Sequence, residues 1–244
     1  MRIKLLAALA QADLRNSLRD PMLQVTYSVP FLLFALLRFA LPALTGLLAE
    51  RYSFDLIPSY PLILSVTVLL VPLMTGMVMA FIMLDELDDR VFSALAVTPL
   101  GVGGYMAGKI CFPVIISTIM SWLLLIFNGL IPVSPAAAFF AAAVSSLIGP
   151  VAALFISGYA ENKITGLTLS KAAGILMVIP VLYHLAESSW AHLALAVPTL
   201  PSALMIQALL EDKPRWLWIM GVSLVHHGLF MLAALHYFSK KRHP

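Results

Sequence analysis

The chain has 244 residues, of which 61% are hydrophobic and only 11% are charged, and its mean hydropathy is +0.96. Soluble globular domains carry about 25% charged residues, so this composition excludes a soluble protein and predicts a membrane protein. A single cysteine, Cys111, excludes an internal disulfide and a multi-cysteine metal site. The formal net charge is only +3, which makes the distribution of the charges more informative than their sum.

Residues 1–20 predict an amphipathic helix that lies along the membrane surface. Its polar face carries basic side chains, among them Lys4, Arg15 and Arg19, and its other face is apolar. The helix should end at Asp20-Pro21, because proline disfavours helical geometry in the residue before it. The apolar run behind Arg2 is too short for a secretory signal peptide.

Six membrane crossings follow in chain order, each with about the 20 apolar residues that a bilayer requires. They are predicted at 24–48, 61–84, 105–130, 136–159, 167–185 and 216–238. Pro72 and Gly76 are the expected kink points in the second crossing, and residues 128–135 should form a tight turn after the third. There is no internal repeat or linker, so residues 1–244 are interpreted as one membrane domain.

Residues 187–213 could hold a seventh crossing, but Pro198 and Pro201 interrupt its apolar run. The distribution of Lys and Arg decides between six and seven crossings, because these residues collect in short cytoplasmic loops. With six crossings and both termini in the cytoplasm, 11 of the 15 basic residues are cytoplasmic and 3 are outside, with Arg38 inside the membrane. Residues 187–213 are therefore predicted to form short helices or a re-entrant hairpin at the outer face, covered by protein.

The polar segment 85–109 separates the second and third crossings. It opens with four carboxylates, Asp85, Glu86, Asp88 and Asp89, followed by a short apolar stripe that includes Phe92 and Leu95. A metal site, a solvated helix end and a docking surface for a partner are three possible interpretations of the carboxylates. Docking is favoured, because an amphipathic helix too short to span the membrane needs something to cover it.

The same segment resembles the signature of type 2 ABC exporter permeases, and within that family the fluoroquinolone and drug export permeases. The elements that match are Glu86 and Asp88, Thr98-Pro99-Leu100, Tyr105 and Gly108-Lys109, together with Arg19-Asp20-Pro21 at the end of the surface helix. Arg90-Val91 and Ser93 depart from the family pattern, which usually has Gly-Thr and Glu at these places.

The resemblance implies that residues 86–100 are a cytoplasmic coupling helix gripped by a separate ABC ATPase subunit. ATP and Mg²⁺ would bind to that partner, and this chain would hold no cofactor of its own. A second permease subunit, identical or different, would complete the transporter in the plasma (inner) membrane, in contact with lipid and without nucleic acid. The positions expected to transmit ATPase closure are Glu86, Asp88, Asp89, Arg90, Phe92, Leu95, Thr98 and Pro99.

Residues 103–109 also match the opening of a phosphate-binding loop, but Ile110 stands where a hydroxyl should bind magnesium, and no strand precedes the glycines. Gly104 and Gly108 are therefore interpreted as small residues that allow close helix packing.

Arg38 is a charge within the first crossing. Such a charge normally faces a cavity or a partner, so Arg38 is a candidate for the substrate path; the alternative is an arginine that extends toward the interface. Met74 and Met77 are candidates for an adaptable surface on the same path. His184, Glu187, His192, His226 and His227 form a candidate group for zinc or proton binding, although hydrogen-bonded structural histidines are the simpler interpretation.

The function predicted is the permease subunit of an ATP-driven exporter that moves a drug-like, lipid or other amphipathic substrate. This would be a transport subunit rather than an enzyme. A proton-coupled secondary transporter and an intramembrane enzyme are the alternatives. The first normally has carboxylates inside its crossings, and the second needs a catalytic motif that the sequence lacks.

Overall fold

The structure is a computed structural model that describes residues 21–89, 101–186 and 194–242, together with Gln11, Arg15, Arg19 and Val91. These residues form helices, turns and loops, and no strand occurs among them. The longer helices are Pro21–Ala35, Leu41–Tyr52, Tyr60–Asp88, Gly101–Phe127, Pro135–Ser145, Ile148–Tyr159, Lys163–Ile175, Ile179–Leu185, Thr199–Leu210 and Trp216–Arg242. A π-helical turn, Leu36–Ala40, joins the first two, and short 3-10 turns occupy Ile57–Ser59 and Leu176–Val178.

Among the residues that the structure describes, six helical stretches are long and apolar enough to cross a membrane, which confirms the predicted all-α, six-span architecture. They are span 1, Ser28–Tyr52; span 2, Ile57–Asp88; span 3, Gly103–Phe127; span 4, Pro135–Tyr159; span 5, Lys163–Leu185; and span 6, Trp216–Lys241. Span 1 begins and ends four residues later than predicted. The chain is therefore a multi-pass membrane protein.

Spans 2 and 4 form the interior of the bundle, whereas spans 1 and 6 lie at its periphery. About two thirds of the most apolar window of spans 2 and 4 is buried, against 11% for spans 1 and 6. The two central helices approach closely at Gly76 and Gly149, where a Cβ added to Gly76 would overlap the Gly149 carbonyl oxygen. Gly76 is therefore a packing position between two helices, and the helix continues through it from Tyr60 to Asp88.

Pro72 lies inside the helix of span 2 without ending it. Proline has no N–H, so the carbonyl of Val68, four residues earlier, loses its helical donor. Ser121 of span 3 supplies a replacement, because its hydroxyl donates to Val68 O at 3.5 Å. Neighbouring helices often satisfy backbone groups freed by proline in this way inside a membrane.

The spans run alternately up and down, so the bundle has two ends. Asp85 of span 2 pairs with Lys163 at the start of span 5, and this end, which holds residues 85–89, is called the acidic end. At the opposite end, Thr45 of span 1 and Tyr60 of span 2 share a hydrogen bond of 2.8 Å between their hydroxyl oxygens. An even number of crossings brings Pro21 and Arg242 to the same side.

The short helix Thr199–Leu210 is buried along almost its whole length. Its 12 residues span about 18 Å, which is less than the hydrocarbon thickness of a bilayer. The Thr199 hydroxyl donates to Leu176 O in the middle of span 5, and Gln207 Nε2 donates to Ser65 Oγ near the opposite end. The helix therefore lies within the bundle, covered by protein, as the prediction for 187–213 required. The hairpin itself stays a prediction, since residues 187–193 lie outside the described part.

Two predicted elements fall largely outside the described residues. Of the surface helix 1–20, the structure describes Gln11, Arg15 and Arg19, which are all exposed. Of the coupling segment 86–100, it describes residues 86–89 and Val91. The interfacial helix and the coupling helix therefore stay predictions.

Candidate functional site

The acidic end is organised by a cluster of three side chains from spans 2 and 3. Lys109 Nζ lies 2.8 Å from Glu86 Oε1, and the Tyr105 hydroxyl donates to Glu86 Oε2 at 2.6 Å. Lys109 Nζ also lies 5.2 Å from the centroid of the Tyr105 ring. Tyr105 and Lys109 are one helical turn apart, so both reach the same carboxylate from one face of span 3.

This cluster is almost completely removed from solvent. The side chain of Lys109 is 0% exposed and that of Glu86 is 14% exposed. A buried ammonium is tolerated only when it is paired and hydrogen-bonded, and Glu86 is the pairing partner. The structure therefore places Glu86 as an internal brace between spans 2 and 3, whereas the sequence suggested a surface carboxylate.

A second ion pair lies closer to the surface of the acidic end. Lys163 Nζ is 2.9 Å from Asp85 Oδ2, and both side chains are a little under half exposed. Lys163 opens span 5 directly after Asn162, which caps the helix in a capping box with Thr165. The cap fixes where span 5 begins, and the pair attaches that beginning to the end of span 2.

Asp88 and Asp89 are the exposed members of the acidic group, and they end the helix of span 2. Among the described residues they are the predicted coupling carboxylates that remain free for contact with another protein. The other predicted coupling positions, Arg90, Phe92, Leu95, Thr98 and Pro99, lie outside the described residues.

Residues 103–109 are helical throughout, so their backbone amides do not form a phosphate cradle. Lys109 is directed to Glu86. Gly104 and Gly108 are half-buried on this helix. Their role in helix packing stays a prediction.

Arg38 lies in the π-helical turn of span 1, beside the loop that follows span 3. A Cβ added to Gly129 would overlap the Arg38 guanidinium, so the two residues are in close contact. Asn128 holds this loop: its Oδ1 accepts from the amides of Leu130 and Ile131, and its Nδ2 donates to Leu125 O and Ile131 O. A cavity of about 470 Å³ opens between Arg38 and the loop.

The depth of Arg38 follows from its contact with this loop. From Lys109 at the acidic end to Phe127, a helix rises about 27 Å, which is close to the hydrocarbon thickness of a bilayer. Arg38 lies next to Gly129, two residues beyond Phe127, and its side chain is exposed. Arg38 itself is ten residues into span 1, so its guanidinium extends from the middle of that span toward the loop at the end of span 3, as an arginine that reaches toward the interface would do. Its part in substrate passage stays a prediction.

Met74 and Met77 are half-buried in the middle of span 2. Met77 packs against the core, whereas Met79 and Met83 are fully buried. The two candidate residues therefore flank the interior of the bundle, and Arg38 is separated from them toward the opposite end.

Two features of the structure could not be predicted from the sequence alone, namely the pairing of Glu86 with Lys109 and the burial of His227. The pairing of Glu86 with Lys109 had one signal, namely opposite charges at the ends of two successive crossings. His227 was named in the sequence analysis as one of several candidate histidines, but its neighbours in sequence do not reveal that it is 1% exposed inside the bundle. Within the described ranges, no group of three or more His, Cys, Asp or Glu side chains could hold a metal ion.

Comparison with known proteins gives two kinds of match. A family described as "Fluoroquinolones export permease protein Rv2686c-like" matches residues 13–235. Two Mycobacterium tuberculosis proteins, fluoroquinolones export permease protein MT2760 of strain CDC 1551 / Oshkosh and Rv2686c of strain H37Rv, are each 32% identical over 188 residues. Those residues cover 76% of this chain and 75% of each relative. No solved structure matches significantly.

Proposed function

Because the chain belongs to the Rv2686c-like family of fluoroquinolones export permeases, we propose that it is the membrane subunit of an ATP-driven exporter whose substrates include fluoroquinolone-like drugs. It is a transport subunit and not an enzyme. ATP and Mg²⁺ would bind to a separate ATPase subunit at the acidic end. A second permease subunit, identical or different, would complete the pathway for the substrate.

This proposal rests chiefly on the structure of the acidic end, where polar contacts hold the ends of three spans together and two carboxylates are exposed. Glu86, Tyr105 and Lys109 hold the ends of spans 2 and 3 together, and Asp85 with Lys163 adds the start of span 5. A force applied to residues 88–100 would therefore reach three spans as one unit. Asp88 and Asp89 remain exposed next to that brace, where a docking protein can contact them.

The proposed orientation places the acidic end and both termini in the cytoplasm of the plasma (inner) membrane. Lys and Arg favour the cytoplasmic side of short loops. Lys163, Lys240 and Lys241 belong to the acidic end, whereas Arg51, Lys213 and Arg215 are the basic residues at the opposite end. The loops of the opposite end, including residues 187–213, would face outward.

Orientation is tested by labelling single cysteines with a maleimide that does not cross membranes. In a Cys111→Ser background, Asp89→Cys should react only after the cells are opened, and Glu50→Cys should react in intact cells. The reverse pattern would contradict the proposed direction of transport.

Transport is tested in proteoliposomes that contain the chain with its co-purified ATPase, with ciprofloxacin fluorescence as the readout. We expect drug movement that requires ATP and the partner. Asp88→Lys should reduce ATP-driven transport of ciprofloxacin at least tenfold without reducing the amount of folded chain. Glu50→Lys makes the same charge change at the opposite end and should leave transport unchanged. Equal transport by Asp88→Lys and the parent would contradict coupling at this position.

A further inference from the structure

A groove with almost entirely apolar walls lies between spans 4, 5 and 6, and its volume is about 410 Å³. Phe155 of span 4, Leu176 of span 5 and Phe230 of span 6 line it, and these side chains are 42%, 36% and 38% exposed. Apolar side chains that are exposed on a membrane-spanning bundle face the hydrocarbon of the bilayer. The groove is therefore open sideways to lipid.

The groove is about as deep as one leaflet of a bilayer. It follows the helix Ile148–Tyr159, because both end residues of that helix line it. The 12 residues of this helix rise about 18 Å, and each leaflet contributes about 15 Å to the hydrocarbon core. Thr199 also lines the groove and donates to Leu176 O, which lies about 20 Å along span 5 from its start at the acidic end. The groove therefore extends from the interface at the acidic end to the middle of the membrane.

Two tyrosines and a lysine form the mouth of this groove at the acidic end. Tyr159 and Tyr237 line the groove, and their stacked rings have centroids 4.1 Å apart. Lys241 follows Tyr237 by one helical turn, and its Nζ lies 6.0 Å from the centroids of both rings. The same ammonium donates to Tyr159 O at 3.4 Å. These contacts hold a positive charge at the mouth, at the depth where tyrosines meet lipid head groups.

The charge at this mouth is available to an anion. An ammonium has three N–H donors, and Lys241 uses one of them for Tyr159 O. Among the described residues Lys171, Lys240 and Lys241 form no ion pair, and the described carboxylate between spans 4 and 5 at this end is Glu161. The ends of spans 4, 5 and 6 therefore carry a surplus of positive charge above an apolar groove. Basic sites of this kind between spans bind anionic lipid head groups.

We propose that the groove between spans 4, 5 and 6 is a binding site for one anionic phospholipid of the leaflet at the acidic end. The phosphate is bound by the ammonium of Lys241, and one acyl chain lies along the groove toward Thr199. The lipid is a bound component of the protein and not a transported substrate. The site requires only that the chain spans a membrane, so it does not rest on the proposed exporter function.

The test compares two phospholipids with the same acyl chains, palmitoyl-oleoyl phosphatidylglycerol and palmitoyl-oleoyl phosphatidylcholine. Each is titrated into the full chain in detergent without ATP or an ATPase subunit, and native mass spectrometry measures the affinity of the first lipid bound. We expect phosphatidylglycerol to bind at least fivefold more tightly than phosphatidylcholine, which is about the value of one lysine near an anionic head group. Lys241→Gln should lower the affinity for phosphatidylglycerol about fivefold and change that for phosphatidylcholine less than twofold.

Lys240→Gln is the matched control for the head group, because it makes the same charge change at the adjacent exposed residue. It should change the affinity for phosphatidylglycerol less than twofold. Equal losses in Lys240→Gln and Lys241→Gln would indicate general attraction to the basic end of span 6 and overturn the proposal. Equal affinity of the parent chain for the two lipids would overturn it as well.

Ala233→Trp tests the acyl chain, because Ala233 lines the groove and is exposed at its rim. The indole would fill the groove and leave every lysine in place, so the preference for phosphatidylglycerol should disappear. Leu232→Trp is the control, since Leu232 is 66% exposed and does not line the groove; the fivefold preference should remain. A preference that survives Ala233→Trp would overturn the placement of the lipid. If Ala233→Trp fails to fold, the two lysine variants, at exposed positions, decide.

Discussion

Lys109 Nζ and Glu86 Oε1 are 2.8 Å apart although 23 positions separate the two residues in sequence. The pair closes the polar segment that joins span 2 to span 3, at the point where each helix reaches the acidic end. Because the Lys109 side chain is fully buried, the pair forms a fixed joint between spans 2 and 3. It does not form a surface that another protein could contact.

Removing one partner of this joint should destabilise the fold. Lys109→Met leaves the Glu86 carboxylate without its ammonium, and Glu86→Gln leaves a buried ammonium with a neutral partner. Breaking a buried pair in this way costs about 3 kcal/mol, and for a protein of this size about 2–4 °C of thermal midpoint is lost per kcal/mol. Thermal unfolding of the purified chain, followed by size-exclusion chromatography, measures the effect.

The double variant Glu86→Gln, Lys109→Met is the informative control, because it removes both charges at once. It should recover much of the lost stability, since replacing a complete buried pair is often close to neutral. Asp88→Asn, at an exposed carboxylate, should change the midpoint by less than about 1 °C. Additive losses in the double variant would show that the two residues are not coupled.

This joint also shows where sequence reasoning about the site succeeded and where it could not. The segment 85–109 was identified from its charge pattern, and Glu86, Tyr105 and Lys109 were all recognised as parts of a signature. Nothing in that pattern distinguished Glu86 from Asp88, because both are carboxylates at a helix end. The difference is the partner across the loop, which only the packing of span 3 against span 2 reveals. A coupling test should therefore use Asp88, since reversing Glu86 would damage the fold itself.

The fold was more predictable than the site for a physical reason. A hydrophobic stretch of about 20 residues is a strong local signal, and six such stretches were identified with small boundary errors. The burial of Thr199–Leu210 was harder to predict, because its apolar composition suits both lipid and protein surroundings. The approach of Gly76 to Gly149 depends on two helices at once, so the sequence, which suggested a kink at Gly76, could not indicate this contact.

Gly76→Ala should be strongly destabilising because the added Cβ would overlap a backbone atom, Gly149 O. Backbone cannot move aside as a flexible side chain can, so spans 2 and 4 would have to separate, at a cost of about 3 kcal/mol. Gly174→Ala is the matched control. Gly174 is also helical, but a Cβ there would meet nothing within 4 Å. Thermal midpoints of the two variants should differ by about 6 °C or more, and equal midpoints would contradict the close approach.

Asn128→Ala should remove the side chain that shapes the loop after span 3. Asn128 is 1% exposed and uses both its amide nitrogen and its oxygen in hydrogen bonds. We expect a loss of about 2–3 kcal/mol, because several backbone groups would lose their partner together. Asn162→Ala removes an exposed helix cap and should cost about 1 kcal/mol. Chemical unfolding in a mixed micelle would compare them, and a larger loss for Asn162→Ala would contradict this ranking.

The contact between Arg38 and Gly129 can be tested with a double-mutant cycle. Gly129 has φ +72°, so Gly129→Ala introduces backbone strain as well as overlap with the guanidinium. Arg38→Ala should relieve the overlap but not the strain, and the pair of changes should therefore destabilise the chain by about 1 kcal/mol less than the sum of the single changes. Strict additivity would show that Arg38 does not rest on the loop.

A further variant, Arg38→Lys, separates the two interpretations of Arg38. An interfacial arginine predicts that Arg38→Lys keeps drug transport near the parent level, because a lysine can also reach the interface. A guanidinium that contacts substrate predicts a clear loss of transport in a chain that remains folded.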